Sequence, residues 1–390
     1  MHYVIIGGGI TGTTAAEELR KLDVSAEITL ISEEEQAIYS RVLLPHYVRG
    51  KVPRERVFLK KEDWYETQKI EWLRGETVVK IDPANAFVEL TSGREISFDK
   101  VLIATGGEVK LISDDIKGVS YFRTLDDTDH LVELIRALPK DVHGGIYGGG
   151  FIACEYLNMF QSFQIPTTIA FRGEHFWSHT ISKEAGMILN QHLEKNGVEV
   201  IVNAKFERTI GEKTLEGFET TKGTHACEIL GIGLGIEPHF QFVRDAGIEV
   251  REGIVCDQYL ETNISNIFTG GDVAEFYDER YGRHIRAGNW MNAMTQGRLV
   301  AKNMFGEKTA FDLVSSYATN ALGLEIIFIG DTSRDAAEET KLFGSVEEGG
   351  VTELFIRNNQ IVGAVLVGRN SDRTALTKMI QEKAKPEQFN

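Results

Sequence analysis

The sequence predicts an α/β protein built from two strand–turn–helix units and a smaller α+β C-terminal part. Two glycine-rich turns, at residues 7–12 and 148–153, each follow a short apolar strand and precede a helix. A further apolar strand ends in Thr-Gly-Gly-Asp at residues 269–272, after the second unit. We therefore expect the first unit to be completed late in the chain, with the second unit inserted into it.

The first turn has the G-x-G-x-x-G spacing at Gly7, Gly9 and Gly12. In such a turn the first glycine permits the tight bend, the second lets the backbone approach a pyrophosphate, and the third lets the helix pack on the strand. The helix N-terminus offers unpaired N–H groups and a positive dipole to the anion. Glu33 follows the next strand, where an acid contacts an adenosine ribose. The alternative is a glycine turn that binds nothing.

The composition is that of an ordinary globular protein, with 390 residues, 42% of them apolar and 26% charged. The length predicts two or three domains. The net charge of −16 argues against nucleic acid and anionic membranes, because both polyanions would be repelled. We predict a cytoplasmic protein, because the chain opens into a core strand and lacks an uncharged run of roughly 20 residues. Cys154, Cys227 and Cys256 lie far apart, which predicts neither a disulfide framework nor a metal site.

The strand end at residues 269–272 carries a candidate ligand-binding acid. Asp272 can accept a hydrogen bond from a sugar or ribitol hydroxyl, and Gly271 beside it allows close backbone approach. An ordinary Gly-Asp turn is the alternative. A similar strand end, followed by a turn, occurs at residues 101–107.

The second turn has glycines at Gly148 and Gly150, and Ala153 replaces the third glycine. The strand over residues 167–171 then ends with Phe171, where an enzyme that uses NADH would usually place an acid for the ribose diol. Arg172 could pair with a 2′-phosphate, so we favour NADPH over NADH. A surface arginine is the alternative.

In their order along the chain, these motifs resemble the pyridine nucleotide-disulfide oxidoreductase superfamily. The resemblance covers nearly the whole chain, and residues 39–47 are similar to the NADH:rubredoxin reductase and nitrite reductase flavin-domain branch. It implies two Rossmann-like dinucleotide-binding domains and a small α+β C-terminal domain that often contributes to a homodimer. The implied boundaries are residues 1–112 and 240–309 for FAD, 113–239 for NAD(P)H, and 310–390 for the C-terminal domain.

The resemblance also assigns cofactor contacts to individual residues. Those implied for FAD are Gly7, Gly9 and Gly12 at the pyrophosphate, Glu33 at the ribose, Arg41 near the phosphates, Ala104, Thr105 and Gly106, and Gly271 with Asp272 at the ribitol. A helix starting near residue 290 would face the flavin, with backbone contacts from Met291, Asn292 and Ala293. A plain packing helix is the alternative there. Those implied for NAD(P)H are Gly148, Gly150 and Arg172.

The chain departs from many members of this superfamily at the redox cysteine. Val42 stands in the place of that cysteine, and the C-x4-C dithiol is absent as well. No protein thiolate is therefore expected to relay electrons, which must leave directly from the flavin. Glu155 and His46 are the implied catalytic helpers, Glu155 orienting the nicotinamide and His46 standing near the flavin. A surface glutamate and a packed interface histidine are the alternatives.

Six basic residues crowd the stretch after this segment, namely Arg49, Lys51, Arg54, Arg56, Lys60 and Lys61. They suit a small acidic electron-carrier protein, while a solvated face or contact with FAD phosphates is the alternative. The sequence thus predicts an FAD-dependent NAD(P)H oxidoreductase that passes electrons to rubredoxin, ferredoxin or another redox protein. The alternatives are an FAD-bound redox sensor or interaction protein, and the flavin subunit of a larger reductase.

Overall fold

The protein is described by a computed structural model over residues 1–112 and 116–389. In chain order the strands are β1 (His2–Ile6), β2 (Glu27–Ser32), β3 (Glu71–Arg74), β4 (Val78–Asp82), β5 (Phe87–Leu90), β6 (Glu95–Ser97), β7 (Lys100–Ile103), β8 (Glu108–Val109), β9 (Val119–Ser120), β10 (Gly144–Tyr147), β11 (Thr167–Ala170), β12 (Glu199–Ile201), β13 (Phe206–Ile210), β14 (Gly217–Thr220), β15 (Gly223–Ala226), β16 (Ile229–Ile232), β17 (Ile236–Glu237), β18 (Ile254–Cys256), β19 (Ile267–Thr269), β20 (Ala274–Asp278), β21 (Arg283–Ile285), β22 (Ser316–Ala321), β23 (Leu324–Gly330), β24 (Glu339–Ser345), β25 (Gly350–Arg357) and β26 (Gln360–Val367). The helices are α1 (Ile10–Leu22), α2 (Leu44–Val48), α3 (Asp63–Thr67), α4 (Leu125–Ala137), α5 (Phe151–Ser162), α6 (Lys183–Lys195), α7 (Gln241–Asp245), α8 (Trp290–Phe305) and α9 (Arg373–Gln381).

The chain forms two compact units, and each unit is assembled from separate chain segments. Unit 1 consists of Met1–Val42, Pro53–Glu108 and Glu237–Leu313, and unit 2 of Leu43–Val52, Val109–Ile236 and the chain from Val314 onward. Residues 43–52 and the C-terminal part thus belong to the same unit as the second glycine turn. The predicted domain boundaries stay a prediction, and residue 113, where the predicted second domain begins, lies outside the described residues.

Unit 1 is centred on a parallel sheet with the strand order β19-β7-β1-β2-β3. Its inner strands are continuous apolar runs because both faces of the sheet are covered, one by α1 and α8 and the other by the meander β4-β5-β6 together with α7. Val4 and Ile5 of β1 are fully buried, as is Leu102 of β7. The late strand β19 pairs with β7, placing Ile267 opposite Val101. The first unit is therefore completed from late in the chain, as the sequence predicts.

Helix α8 brings the late part of the chain onto α1, close to the first glycine turn. A Cβ on Gly297 of α8 would lie only 2.5 Å from the carbonyl oxygen of Thr11 in α1. Leu19 of α1 shares one buried cluster with Val300 and Met304 of α8. The glycine allows this close helix approach, and the apolar cluster stabilises it.

Unit 2 contains a second parallel sheet, with the strand order β12-β11-β10-β16-β9. As in unit 1, the strand before the glycine turn is central and is followed in the chain by a helix and a neighbouring parallel strand. Each unit also carries an antiparallel meander, β4-β5-β6 in unit 1 and β13-β14-β15 in unit 2. The predicted α/β fold class with two Rossmann-like parts is confirmed.

The C-terminal part is an antiparallel sheet with the order β22-β23-β26-β25-β24, followed by α9. It packs on the helices that surround the parallel sheet of unit 2. Asn158 of α5 donates a hydrogen bond to the carbonyl oxygen of Asn320 at 2.8 Å, and His192 of α6 lies 3.1 Å from the carbonyl oxygen of Leu322. Among the described residues, none of the helices combines the length and apolarity that crossing a bilayer demands.

Candidate functional site

The first glycine turn lies at the carboxyl end of β1. Gly7 has a φ of +115°, and a Cβ there would lie 2.2 Å from the carbonyl oxygen of Ala104. A Cβ on Gly12 would lie 2.0 Å from the carbonyl oxygen of Gly7. At Gly9 the φ is −70°, and a Cβ would meet no described atom within 4 Å. Gly7 and Gly12 therefore serve backbone packing, whereas the surface at Gly9 is open to a ligand.

Two further strand ends of unit 1 border this turn. Ala104 follows β7 and its carbonyl oxygen faces Gly7, while Thr105 is exposed and Gly106 has a φ of +67°. Gly271 follows β19 with a φ of +82°, and a Cβ there would lie 2.5 Å from Oγ1 of Thr11. The structure thus brings the predicted residues at 7–12, 104 and 271 together in one backbone cradle.

A glutamine of α8 completes the cradle. Oε1 of Gln296 accepts a hydrogen bond from the N–H of Gly271 at 2.7 Å. Its Nε2 is buried and has no hydrogen-bond partner among the described residues. Buried amide donors are nearly always paired in proteins, so this one marks a place where a bound group is expected.

These features fit FAD, the cofactor that the sequence implies. A pyrophosphate requires unpaired N–H groups at a helix N-terminus and an approach free of side chains, and α1 with Gly9 offers both. No acidic residue stands in the first turn of α1 to repel the anion. The unpaired amide of Gln296 adds a donor beside Gly271 that a bound cofactor would satisfy.

Glu33 follows β2 at the position where the sequence predicts a ribose contact. The residue as a whole is exposed. The pKa of its carboxyl is nevertheless raised, first by partial burial of the carboxyl group and then by nearby Glu108, whereas His239 lowers it. Nε2 of His239 lies 3.0 Å from Glu108. The carboxyl is therefore available as an acceptor for ribose hydroxyls, within a small group of acids and one histidine.

Arg41 and Asp272 were both predicted to contact FAD. Arg41 is bound to Glu34 at 2.5 Å, and Tyr39 donates a hydrogen bond to the same carboxylate. Burial lowers the pKa of Arg41, but Tyr39, Glu34 and Asp272 outweigh burial and raise it overall. The ion pair with Glu34 thus holds the guanidinium of Arg41 close enough to Asp272 for the two charges to interact. Arg286 donates to the carbonyl oxygen of Asp272 at 3.1 Å.

Two exposed apolar side chains of unit 1 stand at positions that the sequence places near the flavin. Val42 is 56% exposed and Met291 is 54% exposed, although both are large apolar residues. Met291 lies in the first turn of α8, whose N-cap Asn289 accepts a hydrogen bond from the N–H of Asn292 at 3.0 Å. Because the N–H groups of Asn292 and Ala293 are both bonded to Asn289, Met291 is the most accessible of the three predicted contacts.

The second glycine turn repeats the geometry of the first with different neighbours. Gly148 has a φ of +138°, and a Cβ there would lie 2.2 Å from the carbonyl oxygen of Gly233, just as Gly7 faces Ala104. At Gly150 a Cβ would meet only Nε1 of Trp177, at 3.6 Å, among the described atoms. Apart from this one ring nitrogen, the second turn is also free of side chains at its middle glycine.

Phe171 and Arg172 directly follow the end of β11. Phe171 is buried, and its ring lies 3.2 Å from the position of a Cβ on Gly149. Arg172 is exposed and has no hydrogen-bond or ion-pair partner among the residues that the structure describes. Phe171 leaves no carboxylate for a ribose diol at this strand end, and Arg172 is available to a phosphate.

Both predicted catalytic residues lie in unit 2, and Arg49 acts electrostatically on both. Nη2 of Arg49 lies 3.5 Å from Nδ1 of His46, and the nearby positive charge of Arg49 lowers the pKa of Glu155. Burial raises the pKa of Glu155 more strongly, so its net shift is upward. Burial also lowers the pKa of His46, helped by Arg49 and Lys51, which favours a neutral imidazole at pH 7.

All three cysteines are buried, and burial raises the pKa of each thiol, that of Cys227 to about 12. Because the thiolate is the reactive form, we expect iodoacetamide at pH 8 to leave Cys154, Cys227 and Cys256 unmodified in the native protein. Mass spectrometry should find three carbamidomethyl groups only after denaturation. Rapid native modification with loss of activity would contradict the predicted electron path without a cysteine.

Sequence reasoning did not single out three residues of these sites. Gln296 lies within the stretch predicted to face the flavin, but only the fold shows its amide reaching Gly271. Trp177 comes within contact of Gly150 because its loop folds back over the turn. From the sequence, Arg49 is only part of a basic stretch, whereas the fold brings it 3.5 Å from His46 and close enough to Glu155 to lower the pKa of that carboxyl.

Comparison with known proteins identifies a family and several relatives. The family described as pyridine nucleotide-disulphide oxidoreductase matches residues 1–297. The NADH-rubredoxin oxidoreductase of Clostridium acetobutylicum is 28% identical over 97% of this chain and 93% of its own length. The NAD(P)H nitrite reductase of Bacillus subtilis is also 28% identical over 98% of this chain, but the chain spans only 47% of that protein.

Solved structures share the fold. The putidaredoxin reductase in its covalent complex with putidaredoxin has a TM-score of 0.89 at 20% identity, over 99% of this chain and 95% of that one. The ferredoxin reductase from Rhodopseudomonas palustris has a TM-score of 0.87 at 23% identity, over 99% of this chain and 96% of that one. At these identities the likeness concerns the fold.

Proposed function

Because the chain belongs to the pyridine nucleotide-disulphide oxidoreductase family, we propose that it is an FAD-dependent NAD(P)H oxidoreductase that passes electrons to a small redox protein such as a rubredoxin or ferredoxin. One observation carries the proposal. Each compact unit has a glycine turn whose middle glycine, Gly9 or Gly150, faces open space or a single ring nitrogen. Two open turns provide for two dinucleotides, one resident and one exchanging.

The residues of unit 1 hold the resident FAD. Gly9 and the N-terminus of α1 take the pyrophosphate, Glu33 the ribose, and Asp272 the ribitol. When bound, FAD would supply the hydride acceptor and the source of electrons for the partner protein. The exposed side chains of Val42 and Met291 provide apolar contacts for a ring system and carry no redox group.

The residues of unit 2 bind and orient NAD(P)H. Gly150 with the N-terminus of α5 takes its pyrophosphate, since α5 has no acidic residue in its first turn. Glu155 orients the nicotinamide, and Arg49 limits how far burial raises the pKa of this carboxyl. His46, kept neutral at pH 7, is available as a hydrogen-bond donor or acceptor rather than as a cation.

The electron acceptor is proposed to be acidic. Arg56 and Lys61 of unit 1 are exposed and have no ion-pair partner among the described residues, whereas Lys60 is bound to Glu17 at 2.9 Å. Unpaired basic side chains on a protein whose net charge is −16 form a local positive surface, and such a surface attracts an acidic partner protein. We expect the rate of carrier reduction to fall with rising salt, because exposed charges are screened. A cytoplasmic location and a homodimer remain predictions from the sequence.

An anaerobic titration tests the proposal. The purified holoprotein is mixed with NADH or NADPH while flavin absorbance is followed, and a rubredoxin or a ferredoxin is then added. We expect bleaching by at least one nucleotide, followed by recovery of the flavin absorbance as the carrier is reduced. Absence of bleaching with both nucleotides would overturn the hydride-entry half of the proposal. Bleaching without transfer to either carrier would overturn the acceptor class.

The choice between NADPH and NADH rests on Arg172. We expect Arg172→Ala to weaken NADPH binding about tenfold, the loss of one charged hydrogen bond, and to change NADH binding by less than about twofold. The measurement is the dissociation constant of each nucleotide in anaerobic stopped-flow reduction. Arg136→Ala, at an arginine in the last turn of α4, is the matched control. Equal effects on both nucleotides would contradict a 2′-phosphate contact.

One observation favours a second candidate function. The NAD(P)H nitrite reductase that the chain resembles is about twice as long, since the chain spans 47% of it. By this comparison the chain would act as a flavin subunit whose electrons go to a protein partner in a stable complex. Copurification of such a partner, with the carrier proteins left unreduced, would favour this function over the free reductase.

A further inference from the structure

The loop after β11 folds back over the second glycine turn. The N–H of Trp177 donates a hydrogen bond to the carbonyl oxygen of Gly149 at 3.0 Å. The carbonyl oxygen of Trp177 in turn accepts hydrogen bonds from the N–H groups of Thr180 at 2.7 Å and Ile181 at 3.1 Å. The backbone on both sides of the tryptophan is therefore fixed, and it is fixed to the turn itself.

The tryptophan has an unfavourable backbone conformation. Its φ is +52°, and among the described residues it is the only aromatic one with a positive φ. A bulky residue in this left-handed region is strained and persists only where its surroundings hold it there. Strained residues of this kind cluster at ligand-binding sites. The strain therefore indicates that Trp177 does more than reverse the direction of the chain.

Aromatic packing fixes the indole ring as well as the backbone. Phe151, Phe176 and Phe328 each contact it edge-to-face, with ring centroids 5.0, 5.0 and 5.5 Å from the indole. Phe151 is itself the first residue of α5. The ring is thus held at the N-terminus of the helix that is proposed to bind a pyrophosphate.

The indole N–H of Trp177 donates no hydrogen bond within the part of the chain that the structure describes. Nε1 of Trp177 has no hydrogen-bond partner among the described residues, and it would lie 3.6 Å from a Cβ on Gly150. The corresponding position of the first turn, at Gly9, is bare within 4 Å among the described atoms. The second turn therefore adds a neutral, preoriented donor that the first turn lacks.

We propose that Trp177 binds the pyrophosphate of NAD(P)H through its indole N–H, acting with the backbone of Gly150 and the N-terminus of α5. This inference rests on the proposed function, because it assigns a residue to the nucleotide site of unit 2. The pyrophosphate is common to both nucleotides, so Trp177 strengthens the binding of NADH and NADPH alike. Choice between them remains with Arg172.

Calorimetric titration of the oxidised holoprotein with NAD⁺ and with NADP⁺ tests the assignment, because neither nucleotide reduces the flavin. We expect Trp177→Phe to weaken both about tenfold and by the same factor, about 1.4 kcal/mol. An unchanged affinity for both would overturn the proposal. A loss confined to NADP⁺ would overturn the pyrophosphate contact in favour of the 2′-phosphate.

Two further variants separate a hydrogen bond from packing. Trp177→His restores a ring N–H and is expected to recover part of the affinity lost in Trp177→Phe, whereas recovery would be absent if the ring only packed. Trp64→Phe, in unit 1, controls for tryptophan replacement and should bind both nucleotides normally. Flavin reduction of the unsubstituted protein by NAD(P)H is measured alongside, so failure of the proposed function is distinguished from failure of this assignment.

Discussion

Gly9→Ala is expected to give a folded protein that does not retain FAD. The φ of −70° at Gly9 is ordinary for alanine, and a Cβ there meets no described atom within 4 Å. The apoprotein should therefore lose less than ~1 kcal/mol of stability, the usual effect of alanine at a helix N-cap. The same methyl group would stand where we propose that the pyrophosphate approaches the backbone. We expect FAD affinity to fall on the order of 100-fold, ~3 kcal/mol.

Flavin absorbance of the purified protein and a fluorescence titration of the apoprotein with FAD measure this effect. Gly150→Ala is the matched variant, because it places a methyl group at the equivalent position of the second turn. It should purify yellow and fail to be reduced by NAD(P)H. If Gly9→Ala bound FAD normally, the pyrophosphate would not lie at this turn, and the assignment of the two units would be wrong.

Gly7→Ala is expected to destabilise unit 1 itself, with or without cofactor. The φ of +115° is unfavourable for alanine, and the added Cβ would lie 2.2 Å from the carbonyl oxygen of Ala104. The backbone of β7 would have to shift to relieve this overlap. We expect the free energy of unfolding of the apoprotein to fall by ~3 kcal/mol, from the left-handed conformation and the overpacking together.

Urea denaturation of the unsubstituted and Gly7→Ala apoproteins measures this loss of stability. The variant Gly93→Ala separates the cost of the backbone conformation from the cost of overpacking. Gly93 has a φ of +81°, but a Cβ there would meet no described atom within 4 Å. Its replacement should therefore report the conformational effect alone, about 1 kcal/mol. Equal losses in the two variants would contradict the close approach of β1 to β7 at the turn.

The spacing of glycines and apolar runs predicts much of the fold because the local structure itself requires these residue types at these positions. Gly7 and Gly148 need positive φ values next to a neighbouring carbonyl, and few other residues tolerate that conformation. The central strands are continuous apolar runs because they are covered on both faces. The edge strands β22 and β24 carry no comparable signal, since they are half exposed and mix small, polar and apolar residues.

Contacts across long chain separations could not be predicted in the same way. Gln296 reaches Gly271 only because α8 packs on α1, and no local pattern marks a glutamine for that purpose. Trp177 gains its position from a loop whose direction depends on three phenylalanines, one of them in the C-terminal sheet. The segment around Tyr47 joins unit 2 through a hydrogen bond to Asp129 at 2.8 Å, which the local sequence does not indicate.

The discontinuity of unit 1 has a consequence for the newly made chain on the ribosome. Strand β1 is synthesised first, but its sheet lacks β19, and α1 lacks its partner α8, until Phe305 has been added. At ~5–20 residues per second, this delay lasts ~15–60 s. The parallel sheet of unit 2, which ends with β16 at Ile232, has all its strands earlier. The unit that begins the chain is thus the later of the two to acquire its full parallel sheet during translation, and the apolar face of α1 stays without its core partners until then.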